Sequence, residues 1–152
     1  LEDAVAKFKG KAAALVFNSG YQANLGIISA LFSKGDCIFS DRLNHASIID
    51  GILLSQAKLF RFRHNDCQHL DELLKKERDK FNKALIITES IFSMDGDRAP
   101  LKELVRLKEK YNCQIMVDEA HATGVFGENG SGLVEEVGPA HQITLVVAPA
   151  VA

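Results

Sequence analysis

Short apolar runs rich in β-type residues alternate along this chain with longer stretches in which apolar positions return every three or four residues. The short runs are Ala13 to Phe17, Cys37 to Ser40, Lys58 to Arg63, Ala84 to Ile91, Gln114 to Asp118 and Ile143 to Val147. Several are nearly continuous in apolar character, as strands buried on both faces are. The helical stretches are Glu2 to Phe8, Tyr21 to Phe32, Ala46 to Gln56, Leu70 to Phe81 and Leu101 to Tyr111. In the last of these, Leu101, Leu104, Val105 and Lys108 fall at i, i+3, i+4 and i+7, which predicts a surface helix with an apolar stripe on the core. Pro100 marks its start, where a missing N–H costs nothing, and Asp71 with Glu72 are expected to load the first turn of the Leu70 helix. Such alternation needs crossover connections and predicts a mostly parallel sheet with helices on both faces, a three-layer α/β/α sandwich. Ligands of such sheets collect at the carboxyl ends of the strands, so the residues just past each strand carry the functional reading.

Composition narrows the classes. The chain has 152 residues, 47% hydrophobic and 25% charged, which suits one folded domain without a linker or repeat. Eighteen basic against twenty acidic side chains give a net charge of −2, so no positive field marks nucleic acid or an anionic membrane as a partner. The apolar runs fall far short of the ~20 residues of a membrane helix. Cys37, Cys67 and Cys113 are odd in number and show no CxxC spacing, so reduced thiols in a cytoplasmic protein are expected, with Cys37 and Cys113 as packing residues. Leu1 is not an initiator and no basic, then apolar, leader follows it, so a cut or processed start is expected.

The strand ends hold the candidate chemistry. Asn18-Ser19-Gly20-Tyr21 runs from the first apolar run into a helix, where Gly20 admits close approach to the backbone and the helix N–H groups favour a phosphate. A plain turn with a serine cap explains the same residues. After the second run, Asp41-Arg42-Leu43-Asn44-His45-Ala46-Ser47 places His45 at a helix start, as a cap or as a functional imidazole. The fourth run leads into Glu89-Ser90-Ile91-Phe92-Ser93-Met94-Asp95-Gly96-Asp97, too polar to be only a connector, with Asp95-Gly96 suited to a tight turn. Sharpest is Val117-Asp118-Glu119-Ala120-His121, since an aspartate ending an apolar strand needs a cation or strong donor to offset desolvation. His121 follows by three residues, and Ala120, Ala122 and Gly124 are expected to leave room around it. The letters Asp-Glu-Ala-His also occur in nucleotide hydrolases, but no GxxxxGK[ST] loop precedes them, and the five histidines show no HExxH-type zinc spacing.

Taken in order, Ser19 to Asn24, Asp41 to Ser47, Glu89 to Asp97 and Val117 to Gly124 resemble the α-oxoamine synthases, pyridoxal-phosphate enzymes of the aspartate aminotransferase fold, and the resemblance runs from Leu1 to about Val147. It implies that the chain is part of the large, cofactor-binding domain of a fold-type I transferase, with a preceding segment and a carboxyl-terminal domain outside it. It implies an acyltransferase, a homodimer, that condenses an amino acid with an acyl-CoA thioester and releases carbon dioxide. L-Alanine and a pimeloyl thioester are the expected substrates, with glycine or serine users as alternatives. By the same resemblance Gly20 and Tyr21 present backbone to the cofactor phosphate, His45 stacks on the ring, Asp118 faces the ring nitrogen, and Ser93 with His121 reach the phenolic oxygen. Glu89 is expected behind these residues, and the other polar groups of the Ser93–Asp97 loop are as apt to fix the loop as to touch a ligand.

The sequence departs from the family in one place. The lysine that carries the cofactor is expected just past the sixth strand, in a Thr-Phe-Ser-Lys type segment, where this chain reads Ala148-Pro149-Ala150-Val151-Ala152, and no lysine follows Lys110. Three accounts remain open: part of a longer enzyme, misassigned final residues, or a non-catalytic paralogue that keeps a cofactor-binding remnant.

Overall fold

The computed structural model describes residues 1–138 and 142–148. Five parallel strands, β1 (Cys37–Asp41), β2 (Lys58–Phe62), β3 (Ala84–Glu89), β4 (Gln114–Asp118) and β5 (Leu145–Val147), form one sheet in the order β2-β1-β3-β4-β5. The helices are α1 (Glu2–Phe8), α2 (Gly20–Leu31), α3 (Ala46–Ser55), α4 (Cys67–Glu77), α5 (Leu101–Lys110) and α6 (Val134–Val137), with a 3₁₀ turn at Arg78–Lys80.

Neighbouring residues of the central strands feed opposite faces, so the sheet has two cores. Ile38, Leu85, Ile87 and Met116 pack under α2 and α3 with Ala23, Ile28, Ile48 and Ile52. Phe39, Ile86, Ile115 and Val117 pack under α4 and α5 with Leu70, Leu74, Leu101 and Leu104. That is the expected three-layer sandwich, and it explains why β1 and β3 read as continuous apolar runs: every residue of both is buried.

The element ends follow local chemistry. Ser19 caps α2 by accepting the Gln22 N–H, Asp66 caps α4 by accepting the His69 N–H, and Pro100 precedes α5. Because Asp66 sets the start of α4 at Cys67, Asp71 and Glu72 do not lie in its first turn as expected; Asp71 instead accepts Lys110 Nζ at 2.7 Å and Tyr111 Oη at 2.9 Å. β3 stops at Glu89, because the Ser90 N–H turns to the Asp118 carbonyl and Ile91 bridges to Arg98. Cys37 and Cys113 are buried free thiols, burial holding the first up at about 12, in line with packing roles.

One predicted strand is absent. Ala13–Phe17 is not in the sheet; Leu15 is 77% exposed and the Val16 N–H goes to the Glu2 carboxylate. A strand exists only by pairing its backbone, and among the described residues no strand lies beside this segment. The sixth predicted run enters the sheet at Leu145, with Ile143 buried before it. Residues 149–152, where the lysine segment is expected, and His141 lie outside the described residues.

Beyond β4 the chain is anchored by a buried ion pair. Lys9 Nζ lies 3.1 Å from Glu119 Oε2 and also donates to Thr123 Oγ1 and the Ser131 carbonyl, while Glu119 Oε1 accepts the Val134 N–H. Gly132 makes room for this carboxylate: its φ is 116°, and a Cβ there would overlap Glu119. Gly132→Ala is therefore expected to cost roughly 2 kcal/mol or more, from strain and displacement of a buried charge; a chemical denaturation midpoint unchanged from the parent would contradict this.

Candidate active site

Topology makes the site. From β1 the chain moves outward to β2, then crosses back to β3 on the other side of β1, so the switch point of the sheet lies between the carboxyl ends of β1 and β3. His45 and Glu89 meet there: the His45 N–H donates to Glu89 Oε1 at 2.6 Å. Asn44 ties the same two strands, donating to the Ile87 carbonyl and Ser40 Oγ and accepting the Glu89 N–H. In the β3–β4 register Glu89 stands opposite Asp118, which puts two carboxylates side by side. Burial pushes the Glu89 carboxyl above its ordinary range; the His45 N–H opposes that rise and the charge of Asp118 adds to it, while His45 and His121 are close enough to lower it.

Asp118 is buried, and each of its oxygens has one donor: Oδ1 accepts the Ala120 N–H at 2.9 Å and Oδ2 accepts Asn24 Nδ2 at 3.0 Å. The same Asn24 amide donates to Ser47 Oγ at 2.9 Å, and Ser47 Oγ is 2.8 Å from His45 Nδ1. A continuous chain of hydrogen bonds thus joins Asp118, Asn24, Ser47 and His45. It is possible because Gly51 lets α3 lie against α2: a Cβ there would come within 3.0 Å of the Asn24 carbonyl and of Ile28. Asn24 and Ser47, both buried, were not singled out from the sequence. The signal available was their position, four residues after Gly20 and two after His45, on helix turns facing the site.

The residues expected from sequence do not all converge equally. His45 is exposed above its buried partners and also caps α3, Nδ1 accepting the Ser47 N–H, so cap and candidate site coincide. Gly20 and Tyr21 open α2 one turn before Asn24, with N–H groups in first-turn positions beyond the reach of helix carbonyls. The Tyr21 side chain turns aside to Asp50 at 2.5 Å, which raises its pKa. Ser93 and His121 are exposed, and among the described residues their side chains make no hydrogen bond. Ala122 does not line the site: it is fully buried in the core beneath α5, and only Ala120 and Gly124 of that trio are exposed. Glu119, next to Asp118, points away into the Lys9 ion pair.

The doubly covered parallel sheet makes this an α/β protein, and its solved neighbours give it the fold of the fold-type I class of pyridoxal-phosphate-dependent transferases. The chain belongs to the aminotransferase class I and II family, which matches residues 1–148. It is 57% identical over 138 residues to 8-amino-7-oxononanoate synthase of Geotalea daltonii, covering 91% of this chain and 35% of that one. The serine palmitoyltransferase of Sphingomonas wittichii superposes with a TM-score of 0.91 at 46% identity, covering 97% of this chain and 37% of that one. A serine palmitoyltransferase structure holding pyridoxal phosphate as its internal aldimine superposes with a TM-score of 0.89 at 45% identity, over 97% of this chain and 37% of that one. The chain thus spans little more than a third of the length of the relatives it matches.

Proposed function

We propose that this chain is the cofactor-binding part of a pyridoxal-phosphate-dependent acyltransferase that condenses L-alanine with a pimeloyl thioester and releases carbon dioxide, a step of biotin biosynthesis, in keeping with relatives named 8-amino-7-oxononanoate synthase. The observation that carries the reading is Asp118. A carboxylate has about four acceptor sites, and donors from Asn24 and Ala120 take two. Among the described residues no cation pairs with it, so a protonated ring nitrogen suits the acceptor capacity left over. Pyridoxal phosphate, when bound, draws off the negative charge that develops on the substrate α-carbon, and does so best with its ring nitrogen protonated.

The chain's own residues then divide the work. Asp118 holds the ring proton, its direction fixed by Asn24. His45 lays an exposed imidazole over the ring, its tautomer constrained by Ser47. The first N–H groups of α2, at Gly20 and Tyr21, receive the phosphate, which the helix dipole favours. Ser93 and His121 serve the phenolic oxygen, and Glu89 keeps the His45 backbone in place. Ala46 and Ala120, small and exposed, admit a methyl group on the substrate α-carbon.

Titrating the chain with pyridoxal phosphate, followed by absorbance, is expected to show saturable one-to-one binding that Asp118→Ala weakens. Reduction with borohydride and peptide mapping is expected to give no stoichiometric lysine adduct, since no lysine follows Lys110. Absence of saturable binding overturns the reading.

The serine palmitoyltransferase likeness favours one second reading, a serine user with a longer acyl thioester. Competition among alanine, serine and glycine in the full-length protein separates the two. Because one methyl in an apolar pocket is worth roughly 10- to 200-fold, alanine is expected to win over glycine by that order, and preference for alanine over serine decides between the two readings. The full-length protein is also expected to be a homodimer, for which Leu15, Val16, Leu53 and Leu54 supply exposed apolar surface.

A further inference from the structure

Three segments meet at His64, a residue outside those singled out from the sequence. Its side chain is 21% exposed and stands edge-on to Phe92, with ring centroids 4.4 Å apart. Nδ1 lies 3.0 Å from Asp41 Oδ1 at the end of β1, and Nε2 lies 2.7 Å from Asp97 Oδ2 in the loop after β3. Asn65, held at a φ of 52°, joins the same two carboxylates: its N–H donates to Asp41 Oδ2 at 2.9 Å and its amide to Asp97 Oδ2 at 2.6 Å. Asp97 closes the loop that carries Ser93, its carbonyl accepting the Phe92 N–H at 3.2 Å while the Gly96 N–H donates to the Phe92 carbonyl at 2.8 Å. That loop leaves β3 beside Asp118, whose carbonyl accepts the Ser90 N–H.

We propose that His64 is a positioning residue: by bridging Asp41 and Asp97 it fixes the Phe92–Asp97 loop at the carboxyl end of β3 and so holds Ser93 where the cofactor binds. The cofactor half of this statement rests on the function proposed above; the bridge itself does not. Carboxylates only accept hydrogen bonds and a neutral imidazole offers one N–H, so both contacts are made together only when both ring nitrogens carry hydrogen. Burial of the ring opposes that charge, but the hydrogen bonds and charges of Asp41 and Asp97 outweigh it and hold the pKa above the ordinary histidine value. The other charged neighbours are engaged elsewhere: Asp66 with Arg63 at 2.8 Å and Arg98 with Glu136 at 3.6 Å. Cys67, pushed up to about 11 by burial first and then by Glu103, Asp66 and Asp41, stays neutral. A histidine pKa raised by folding contributes stability that is fully present below about 6.5 and is lost as pH climbs through the raised value. The loop is thus firmest in mild acid and loosens toward alkaline pH.

The test combines two measurements on the full chain. Long-range proton–nitrogen correlation should show both His64 nitrogens protonated at pH 6. Amide exchange at Phe92 and Gly96 should speed up roughly tenfold in His64→Gln, the loss of one charge-assisted hydrogen bond, while Val117 in β4 stays unchanged as a control for global unfolding. Pyridoxal phosphate affinity should fall by a similar factor in His64→Gln, and Ser93→Ala should add little to that loss, because both act through one loop. A neutral ring with unchanged loop exchange overturns the bridge. Additive effects of the two substitutions on affinity, or none from His64→Gln, overturn the positioning role. If the unsubstituted chain binds no pyridoxal phosphate, the proposed function fails, whereas the ring and exchange results still decide whether His64 holds the loop.

Discussion

Asp118→Asn in the full-length protein is expected to lower turnover by roughly 100-fold or more, the scale on which a preorganised electrostatic group acts, while cofactor affinity changes much less. Both oxygens of Asp118 face N–H donors, from Ala120 and from Asn24. An amide keeps one acceptor and turns a donor toward one of those donors, so the neighbouring hydrogen bonds are disturbed as well. More directly, an amide cannot keep a ring nitrogen protonated, and the loss falls on the step in which negative charge develops rather than on docking. Measuring turnover against the cofactor dissociation constant separates the two effects. Equal losses in both would place Asp118 in binding alone.

Asn24→Ala should lose activity nearly as severely and stability as well. Its Nδ2 holds Asp118 at 3.0 Å and Ser47 at 2.9 Å, so one truncation frees the carboxylate and removes the constraint on the His45 partner. Removing a hydrogen bond to a buried charge costs about 1.5 to 3 kcal/mol. Asn24→Asp supplies the contrasting variant: it keeps the volume but sets a second carboxylate against Asp118, and repulsion should make it the worse of the two. Thermal unfolding of both variants beside the parent checks the order. Asn24→Asp as stable as the parent would mean that the amide contributes no directed hydrogen bond.

The layers of the fold were legible because buried parallel strands must be apolar on both faces, and β1, β3 and β4 read that way. Asp118, His45 and Glu89 were legible for the opposite reason, as polar groups at the ends of such strands with no local partner in sequence. What the chain did not reveal depends on distant pairings. Ala13–Phe17 has the composition of a strand, but composition does not supply a neighbour, and the segment lies unpaired with Phe17 against Gly26. The apolar spacing predicts a start at Leu70 for α4, but the helix begins at Cys67 because Asp66 caps it. Asn24, Ser47 and His64 are not legible for one shared reason: each looks like an ordinary polar helix or loop residue until a partner 23 to 94 positions away arrives.

Those separations bear on how the site comes into being. Asn24 meets Asp118 across 94 residues, and Lys9 meets Glu119 across 110. Neither pair can form while β4 is detached, since no local helix or hairpin brings them together, and such closures are slow and entropically costly. The site therefore assembles only once β4 has joined the sheet, and dissolves when the β4 side of the sheet opens. Any small molecule that binds across Asp118 and His45 selects the fully closed chain, and so raises its melting temperature in proportion to the logarithm of its concentration.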